Sequence, residues 1–301
     1  MSGALAPELL LPWYAAHSRE LPWRAPGAGA WPVLVSEVML QQTPVSRVLP
    51  AYTSWLDRWP TVSACARASP AEVVRAWGRL GYPRRALRLR EAAAVCEERF
   101  HGAVPGDPAL LRQLPGVGEY TAAAVAAFAG GTRIAVVDTN VKRVQARSVR
   151  GVNDPRPVSA ADRRAVAALL PAEQAARWSV AVMELGALVC TARAPRCTAC
   201  PLRADCAWLT AGAPAWTGPT ARPQGYAGTD RQVRGLILAA LRAAPGHVPI
   251  GVIDACWSEP EQRNRALASL VADGLAVPGA DGGYALPGGD RGYALPGADG
   301  G

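Results

Sequence analysis

The chain has 301 residues, half of them apolar but only two of them phenylalanine, which predicts small-residue helical cores in two or three compact units. Its formal net charge of +8 favours a polyanionic partner, although Lys142 is the only lysine among the 32 basic residues. No apolar stretch approaches the roughly 20 residues of a membrane span, and the first thirty residues lack a secretory-signal pattern. We therefore expect a cytoplasmic protein in which the clustered cysteines bind metal and do not pair as disulfides.

Residues 31–130 predict an all-α segment, because apolar residues recur there at helical spacing and prolines and glycines separate the repeats. Ser69 and Asp107 are placed to cap two of the helices. Strand-like alternation does not extend beyond a few residues. The predicted helices cover 31–42, 45–59, 69–80, 83–100, 107–114 and 118–130.

Three further helices, 137–149, 159–170 and 175–190, lead directly into a loop that contains four cysteines. An N-terminal helix over 8–17 has no neighbour of its own, and we expect it to pack on this second group. These patterns predict a six-helix domain at 27–133 and a second helical domain formed by 1–26 and 134–210.

Residues 211–228 are rich in proline, glycine and alanine and are predicted to be a linker. Beyond it, 229–297 has the order helix–helix–helix–hairpin, which predicts a small winged-helix-like α+β module. Its third helix is expected to begin with a capping box from Ser258 to Glu261. The tail repeats GYALPG at 283–288 and 292–297, and no structural role is expected for the second copy.

The cysteine loop has the spacing C-x6-C-x2-C-x5-C and contains no histidine. Four thiolates in one short loop suit a tetrahedral metal or a [4Fe–4S] cluster. Zinc remains the alternative metal, although the spacing departs from its usual paired CxxC knuckles. The other cysteines are expected to be buried thiols. The four predicted ligands are Cys190, Cys197, Cys200 and Cys206.

The turn LPGVG, residues 114–118, joins two predicted helices. Gly116 and Gly118 permit a tight turn and let backbone N–H groups approach a phosphate, and the start of the next helix adds its positive dipole. Such a turn is equally common as an ordinary connection between helices, but together with the cysteine loop and the segment VVDTN it favours a contact with the DNA backbone.

The LPGVG turn, the Asp138 of VVDTN and the cysteine loop together resemble the endonuclease III superfamily of DNA base-excision glycosylases. Within it, LPWR, VSEVMLQQT, LGYPRRA and VDTNVKRV are similar to segments of the MutY-type adenine glycosylases. The resemblance covers about residues 8–212. It implies a helix-hairpin-helix fold, a [4Fe–4S] cluster in the second domain, and excision of adenine mispaired with 8-oxoguanine or guanine in double-stranded DNA.

The resemblance assigns Glu37 as the acid that acts on the purine and activates water, and Asp138 as the group that stabilises the sugar cation, with Asn140 and Tyr120 orienting them. The residues agree with this division. Glu37 lies in an apolar helix, where burial should raise its pKa, and Asp138 lies at a helix start, where backbone N–H groups should keep it ionised. Lyase-type relatives have a lysine at the position of Tyr120, so a monofunctional hydrolase is expected.

The resemblance also assigns contacts with DNA. Gln42 and Tyr82 would fill the space left by the extruded base, and Thr43 would touch the opposite base. Trp23 and Arg24 would line the adenine pocket, although core packing alone would also explain Trp23. The single lysine, Lys142, is expected to contact a phosphate.

Some features depart from the family pattern. Val180 stands where many members have a polar residue, and Pro83 replaces the second tyrosine of the usual LGYY. The helix-rich region after Cys206 does not fit the family's longer domain that inspects 8-oxoguanine, so the degree of preference for that base stays open. The C-terminal module could contact duplex DNA or dock another protein. Two alternatives are a thymine or other pyrimidine mismatch glycosylase and a non-catalytic iron–sulfur DNA-binding regulator.

Overall fold

The computed structural model describes residues 5–219, 225–279 and 282–288, and this part of the chain is helical apart from one short hairpin. The predicted all-α fold is thereby confirmed. None of the helices in these ranges has the length and apolar character needed to cross a bilayer. The helices are α1 Pro7–His17, α2 Ala30–Leu40, α3 Val45–Arg58, α4 Val62–Arg67, α5 Pro70–Trp77, α6 Arg84–Phe100, α7 Pro108–Leu111, α8 Glu119–Gly130, α9 Thr139–Ser148, α10 Ala160–Ala167, α11 Ala175–Leu188, α12 Ala207–Thr210, α13 Asp230–Ala243, α14 Ile250–Ala255 and α15 Pro260–Ala272, and the strands are β1 Val277–Pro278 and β2 Tyr284–Ala285.

Two of the predicted N-caps are confirmed, at the starts of α5 and α7. Ser69 forms a full capping box with Glu72 at the start of α5, and the Asp107 carboxylate accepts from two backbone N–H groups of α7. The expected box from Ser258 to Glu261 is wrong, because α15 begins at Pro260 and its N-cap is Glu259, which makes no capping hydrogen bond. Helix α4 was not predicted; it is short and lies inside the gap between two longer helices.

The chain divides into two compact units, each built from separated segments. The first unit comprises 1–37, 105–113 and 117–222. Its main core lies among α1, α9 and α11, where Leu10, Trp178 and Leu185 are fully buried. Helix α1 packs on α11, as expected, and the Trp178 indole donates to the Leu5 carbonyl at 2.9 Å.

Among the described residues, the second unit comprises 38–104, 114–116, 225–279 and 282–288. Within it, helices α13 to α15 and an antiparallel β1–β2 hairpin follow in the predicted winged-helix order, and Val248 adds a bridge to Tyr284. Helix α13 packs against α5, and one core joins Val74 of α5 to Val233 and Ile237 of α13. The C-terminal module therefore shares a core with the helices at 38–104. The second GYALPG copy lies outside the described residues.

Candidate active site

Glu37 lies near the end of α2, among residues so apolar that the helix is buried on nearly every side. Its side chain is 5% exposed and accepts a hydrogen bond from the Tyr120 hydroxyl. Burial raises the pKa of Glu37 to about 7; the negative charge of Asp138 adds to the rise, while the Tyr120 hydrogen bond and Arg24 oppose it. The expectation of a buried acid with a raised pKa is confirmed.

Asp138 caps the N-terminus of α9 and lies close enough to Glu37 to influence its charge. One carboxylate oxygen accepts from the Val141 N–H at 2.7 Å and the other from the Asn140 side-chain amide at 2.8 Å. Burial nevertheless raises the pKa of Asp138 above its usual value, against these hydrogen bonds and the charge of Arg143. The backbone hydrogen bond was expected to keep the pKa of Asp138 low, but burial has the larger effect on that pKa.

Glu37 and Asp138 are two buried carboxyl groups in one site, and ionisation of Asp138 makes ionisation of Glu37 less favourable. Both carboxylate oxygens of Asp138 accept hydrogen bonds, whereas Glu37, within the described part of the chain, accepts a side-chain hydrogen bond from the Tyr120 hydroxyl alone. Hydrogen-bond donors favour the ionised form, so we infer that the proton resides on Glu37 and the negative charge on Asp138. Such a pair can donate a proton and stabilise a cation at the same time.

A buried carboxylate that the sequence analysis missed holds Arg24 in this site. Glu184 is fully buried in α11 and accepts from Arg24 at 2.8 Å and from the Arg19 Nε at 2.7 Å. Burial alone would raise its pKa, but the two arginines lower the pKa to about 2. Glu184 lies in the apolar sequence AVMELGAL. Apolar neighbours of the same kind predicted the burial of Glu37. Trp23, beside Arg24, is buried.

Asn140 belongs to a chain of hydrogen bonds that reaches the cysteine loop. Its side-chain oxygen accepts from Arg143 at 2.7 Å, and the same guanidinium donates to the carbonyls of Gly186 and Cys190, each at 2.7 Å. Arg143 was not predicted as a site residue. Asp138 is thus connected through Asn140 and Arg143 to the first cysteine of the loop.

We predict that Glu37→Gln makes folding more stable at alkaline pH and has little effect at acidic pH. The folded-state pKa of about 7 exceeds the ordinary value of 4.5, so the wild-type chain loses stability as pH rises from about 4.5 to 7, by about 3 kcal/mol in total. The neutral glutamine does not ionise and avoids that loss. Chemical unfolding of both proteins across this range measures the difference. A difference that does not change with pH would contradict the prediction.

The four cysteines of the loop are free thiols, and the pKa of Cys197 and that of Cys200 are both raised in part by neighbouring cysteines of the loop. Burial, together with the charges of the neighbouring sulfurs, raises the pKa of Cys200 to about 11. Arg147 crosses the loop and donates to the Thr191 carbonyl at 2.7 Å and to the Cys190 sulfur at 3.4 Å. Among the described residues, no three or more His, Cys, Asp or Glu side chains are arranged to hold a single metal ion.

Lys142 is not placed as predicted. Its side chain is 3% exposed, and the ammonium contacts Asp154 at 3.3 Å, Asp162 at 3.8 Å and the Arg156 carbonyl at 2.6 Å. An ammonium enclosed by these groups does not face a phosphate, so the expected DNA contact is replaced by a buried ion cluster inside the first unit.

Replacement of Lys142 by methionine is expected to destabilise the first unit by about 3 kcal/mol or more, because two buried carboxylates lose the cation between them. Arg156→Gln is the matched control. Arg156 also pairs with Asp154, but its side chain is 59% exposed, so a much smaller effect is expected. Urea unfolding compares the two variants, and equal losses would show that the buried amine has no special role.

Gln42 and Tyr82, the two residues predicted to fill the space left by the extruded base, lie in the second unit and are called the wedge residues. Both have an unusual backbone conformation. Gln42 and Tyr82 are exposed and have φ values of 54° and 46°, a left-handed conformation that few residues other than glycine adopt. Strained, exposed side chains of this kind are frequent at binding sites, which supports the predicted role.

Arg85, which was not predicted as a site residue, makes hydrogen bonds to both of the turns that contain Gln42 and Tyr82, the wedge turns. Its guanidinium donates to the carbonyls of Val38 and Gln41, at 2.8 and 2.6 Å, and to that of Gly81 at 3.0 Å. It also donates to the Thr43 hydroxyl at 2.9 Å. Thr43 is buried and its hydroxyl is engaged inside the protein, while its contact with the opposite base stays a prediction.

The two glycines of the LPGVG turn have different roles. Gly116 has φ of +78°, and a Cβ there would lie 2.8 Å from the Arg88 Cβ, so only glycine fits. Gly118 is the extended N-cap of α8, and no atom lies within 4 Å of its Cβ position. A side chain would therefore fit at Gly118, and the predicted contact of the α8 start with a phosphate stays a prediction.

Comparison with known proteins identifies the family. Residues 35–165 match the model of the HhH-GPD superfamily base excision DNA repair proteins. The adenine DNA glycosylase of Mycolicibacterium smegmatis is 54% identical over 93% of this chain and 96% of its own length. That of Mycobacterium tuberculosis H37Rv is 55% identical over 91% of each chain. A thermostable thymine-DNA glycosylase of known structure has a TM-score of 0.63 at 26% identity, covering 68% of this chain and 94% of the other. The chain belongs to the adenine DNA glycosylases of the HhH-GPD superfamily.

Proposed function

We propose that the protein is a monofunctional DNA glycosylase that hydrolyses the N-glycosidic bond of adenine mispaired with 8-oxoguanine or guanine. The observation that carries this proposal is the pairing of a buried acid, Glu37, with a second carboxylate, Asp138, in a site that also contains Tyr120 and Arg24. The identity of 54–55% to adenine glycosylases over almost the whole chain supports adenine as the base.

Glu37 acts first as an acid. Adenine is a poor leaving group as an anion, so transfer of the Glu37 proton to a ring nitrogen lets the bond between C1′ and the base break with its electron pair going to the base. A pKa of about 7 keeps a large fraction of Glu37 protonated at neutral pH. The resulting carboxylate then takes a proton from the water that attacks C1′.

Asp138 stabilises the positive charge that develops on the sugar as the bond breaks. Asn140 fixes its orientation through the 2.8 Å hydrogen bond. Tyr120 orients Glu37, and since a phenol cannot form a Schiff base with C1′, the product is an abasic site with an intact strand. The adenine must first leave the duplex, with Gln42 and Tyr82 occupying the vacated space and Trp23 and Arg24 lining the pocket that receives the base.

The four cysteines would hold a [4Fe–4S] cluster. The other three cysteines all contribute to the raised pKa of Cys200, and this proximity of four thiols within one short loop supports a shared prosthetic group. A bound cluster would cross-link the loop that Arg147 and Arg143 contact, and it would take no part in bond breaking. The enzyme is further proposed to act as a monomer in the cytoplasm, on DNA of the nucleoid.

A single-turnover cleavage assay on four duplexes tests the function. They contain adenine opposite 8-oxoguanine, adenine opposite guanine, thymine opposite guanine, and thymine glycol. Excision is expected from the first two only, and strand breaks only after alkali. Breakage without alkali would indicate a lyase and overturn the role given to Tyr120.

The alternative activity on thymine has one observation in its favour, the fold similarity to a thymine-DNA glycosylase. Its identity of 26% is half that of the adenine glycosylases. Excision of thymine with adenine untouched would establish this alternative. Binding of all four duplexes without excision would favour the non-catalytic regulator.

A further inference from the structure

A cavity of about 390 Å³ lies within the second unit, between the wedge turns and the C-terminal module. Gln42 and Tyr82 line it from the wedge turns, and Arg84 and Arg88 from the first turns of α6. The C-terminal module contributes Arg234 and Asp273. The C-terminal module, which follows the proposed catalytic residues in the chain, thus forms part of the surface that carries Gln42 and Tyr82.

The position of Arg234 is fixed by packing. Its neighbours Val233 and Ile237 are fully buried in the core that α13 shares with α5. Two arginines tie the helices together, since Arg75 donates to the Ala244 carbonyl at 2.9 Å and Arg242 donates to the Val74 carbonyl at 3.0 Å. Arg234 is therefore presented to the cavity by an anchored helix.

One carboxylate links the two sides of the cavity. Asp273, at the end of α15, contacts Arg234 at 2.5 Å and Arg84 at 3.1 Å through its separate oxygens. Arg234 also donates to the Ser269 hydroxyl through its other terminal nitrogen. Each guanidinium carries five N–H donors, so these partners do not exhaust them. Arg88 pairs with Glu91 at the surface, where both side chains are more than two-fifths exposed and the pair is easily exchanged. Cations outnumber acids around the cavity.

We propose that this cavity binds a phosphodiester group of the duplex beside the wedge, with Arg234 and Arg84 as the anion ligands. Guanidinium groups suit phosphate because two parallel N–H donors match two phosphate oxygens. Asp273 holds both arginines in place in the free protein and competes with the phosphate for them. The C-terminal module is then a DNA-binding part of the enzyme. This inference rests on the proposed function for the identification of Gln42 and Tyr82 as the wedge.

The test is the affinity of the full chain for an undamaged duplex, measured by fluorescence anisotropy over a series of salt concentrations. Arg234→Gln is expected to bind about three- to tenfold more weakly and to lower the salt slope by about one, as loss of one phosphate contact should. Arg231→Gln is the matched control. Arg231 lies on the same helix, is exposed, and packs on Tyr226 outside the cavity lining, so its loss should leave affinity within about twofold of wild type.

Asp273→Asn separates a phosphate site from a structural ion pair. It breaks the same contact with Arg234, so any folding defect appears in both variants and is measured by thermal unfolding. A phosphate site predicts unchanged or tighter DNA binding in Asp273→Asn, because the competing carboxylate is gone. Weakening equal to that of Arg234→Gln would overturn the proposal, and so would Arg234→Gln binding like Arg231→Gln, the result expected of a protein-docking surface. The duplex contains no mispair, so absence of adenine excision would refute the proposed function without changing this result.

Discussion

Glu37→Gln is expected to lower single-turnover excision of adenine by about a thousandfold and to leave DNA binding intact. The glutamine fills the same space and can accept the Tyr120 hydrogen bond, but it has no acidic proton to give to the base. A positioned acid or base typically contributes about 10²- to 10⁴-fold to the rate, and Glu37 serves in both steps.

The pH profile provides an independent measurement of the same role. Since the protonated form is the reactive one, the rate of the wild-type enzyme should fall above a pH of about 7, by about tenfold per pH unit. The residual rate of Glu37→Gln should lack this fall. Rapid-quench measurements of both proteins on an adenine–guanine mispair give the two profiles. A variant with the wild-type rate, or with the same descending limb, would remove Glu37 from the mechanism.

Gly186→Ala is expected to lower excision by about a hundredfold although the residue has no contact with substrate in the proposed mechanism. A Cβ on Gly186 would lie 2.7 Å from the Asn140 Cβ and 3.0 Å from its Cα and carbonyl oxygen. These atoms are backbone or directly attached to it, so α9 must move at its first turn. Asp138 is the N-cap of that helix, and a displacement of about 1 Å can cost about two orders of magnitude in rate.

The matched control is Gly251→Ala, another helical glycine, at which no atom lies within 4 Å of the added methyl group. It should keep full activity and gain a little stability, because alanine restricts the unfolded chain. The assay is single-turnover excision, with thermal unfolding to confirm that Gly186→Ala remains folded at the assay temperature. Full activity of Gly186→Ala would show that the α9–α11 contact does not position Asp138.

The helices were predictable because their apolar spacing is local information, and the caps at Ser69 and Asp107 were visible for the same reason. The capping box at Ser258 was wrong because Ser258 and Glu261 match the capping-box pattern although the helix does not begin there. Helix α15 begins at Pro260, a residue that is favoured in the first turn of a helix. The winged-helix order was predictable, but the core that the module shares with α5 depends on residues far apart in the chain.

The two carboxylates of the site were identified by family resemblance, and the burial of Glu37 by its apolar neighbours. Glu184 has the same kind of neighbours and was overlooked because no known motif marks it. The contact of Lys142 was mispredicted, and the internal partner of the Thr43 hydroxyl was not foreseen, for a different reason. A polar side chain in a motif suggests contact with a ligand. Only the tertiary structure reveals that Lys142 pairs with Asp154 and that the Thr43 hydroxyl accepts a hydrogen bond from Arg85.

The buried ion cluster has a practical consequence for chemistry on this protein. Lys142 is the sole lysine of the sequence, and its amine is enclosed by carboxylates and a carbonyl. Enzymes that acetylate, methylate or ubiquitylate lysine side chains therefore find no accessible target on the folded molecule. An acylating reagent would modify Lys142 only when the surrounding helices separate. The rate at which Lys142 is labelled therefore reports local unfolding of the first unit.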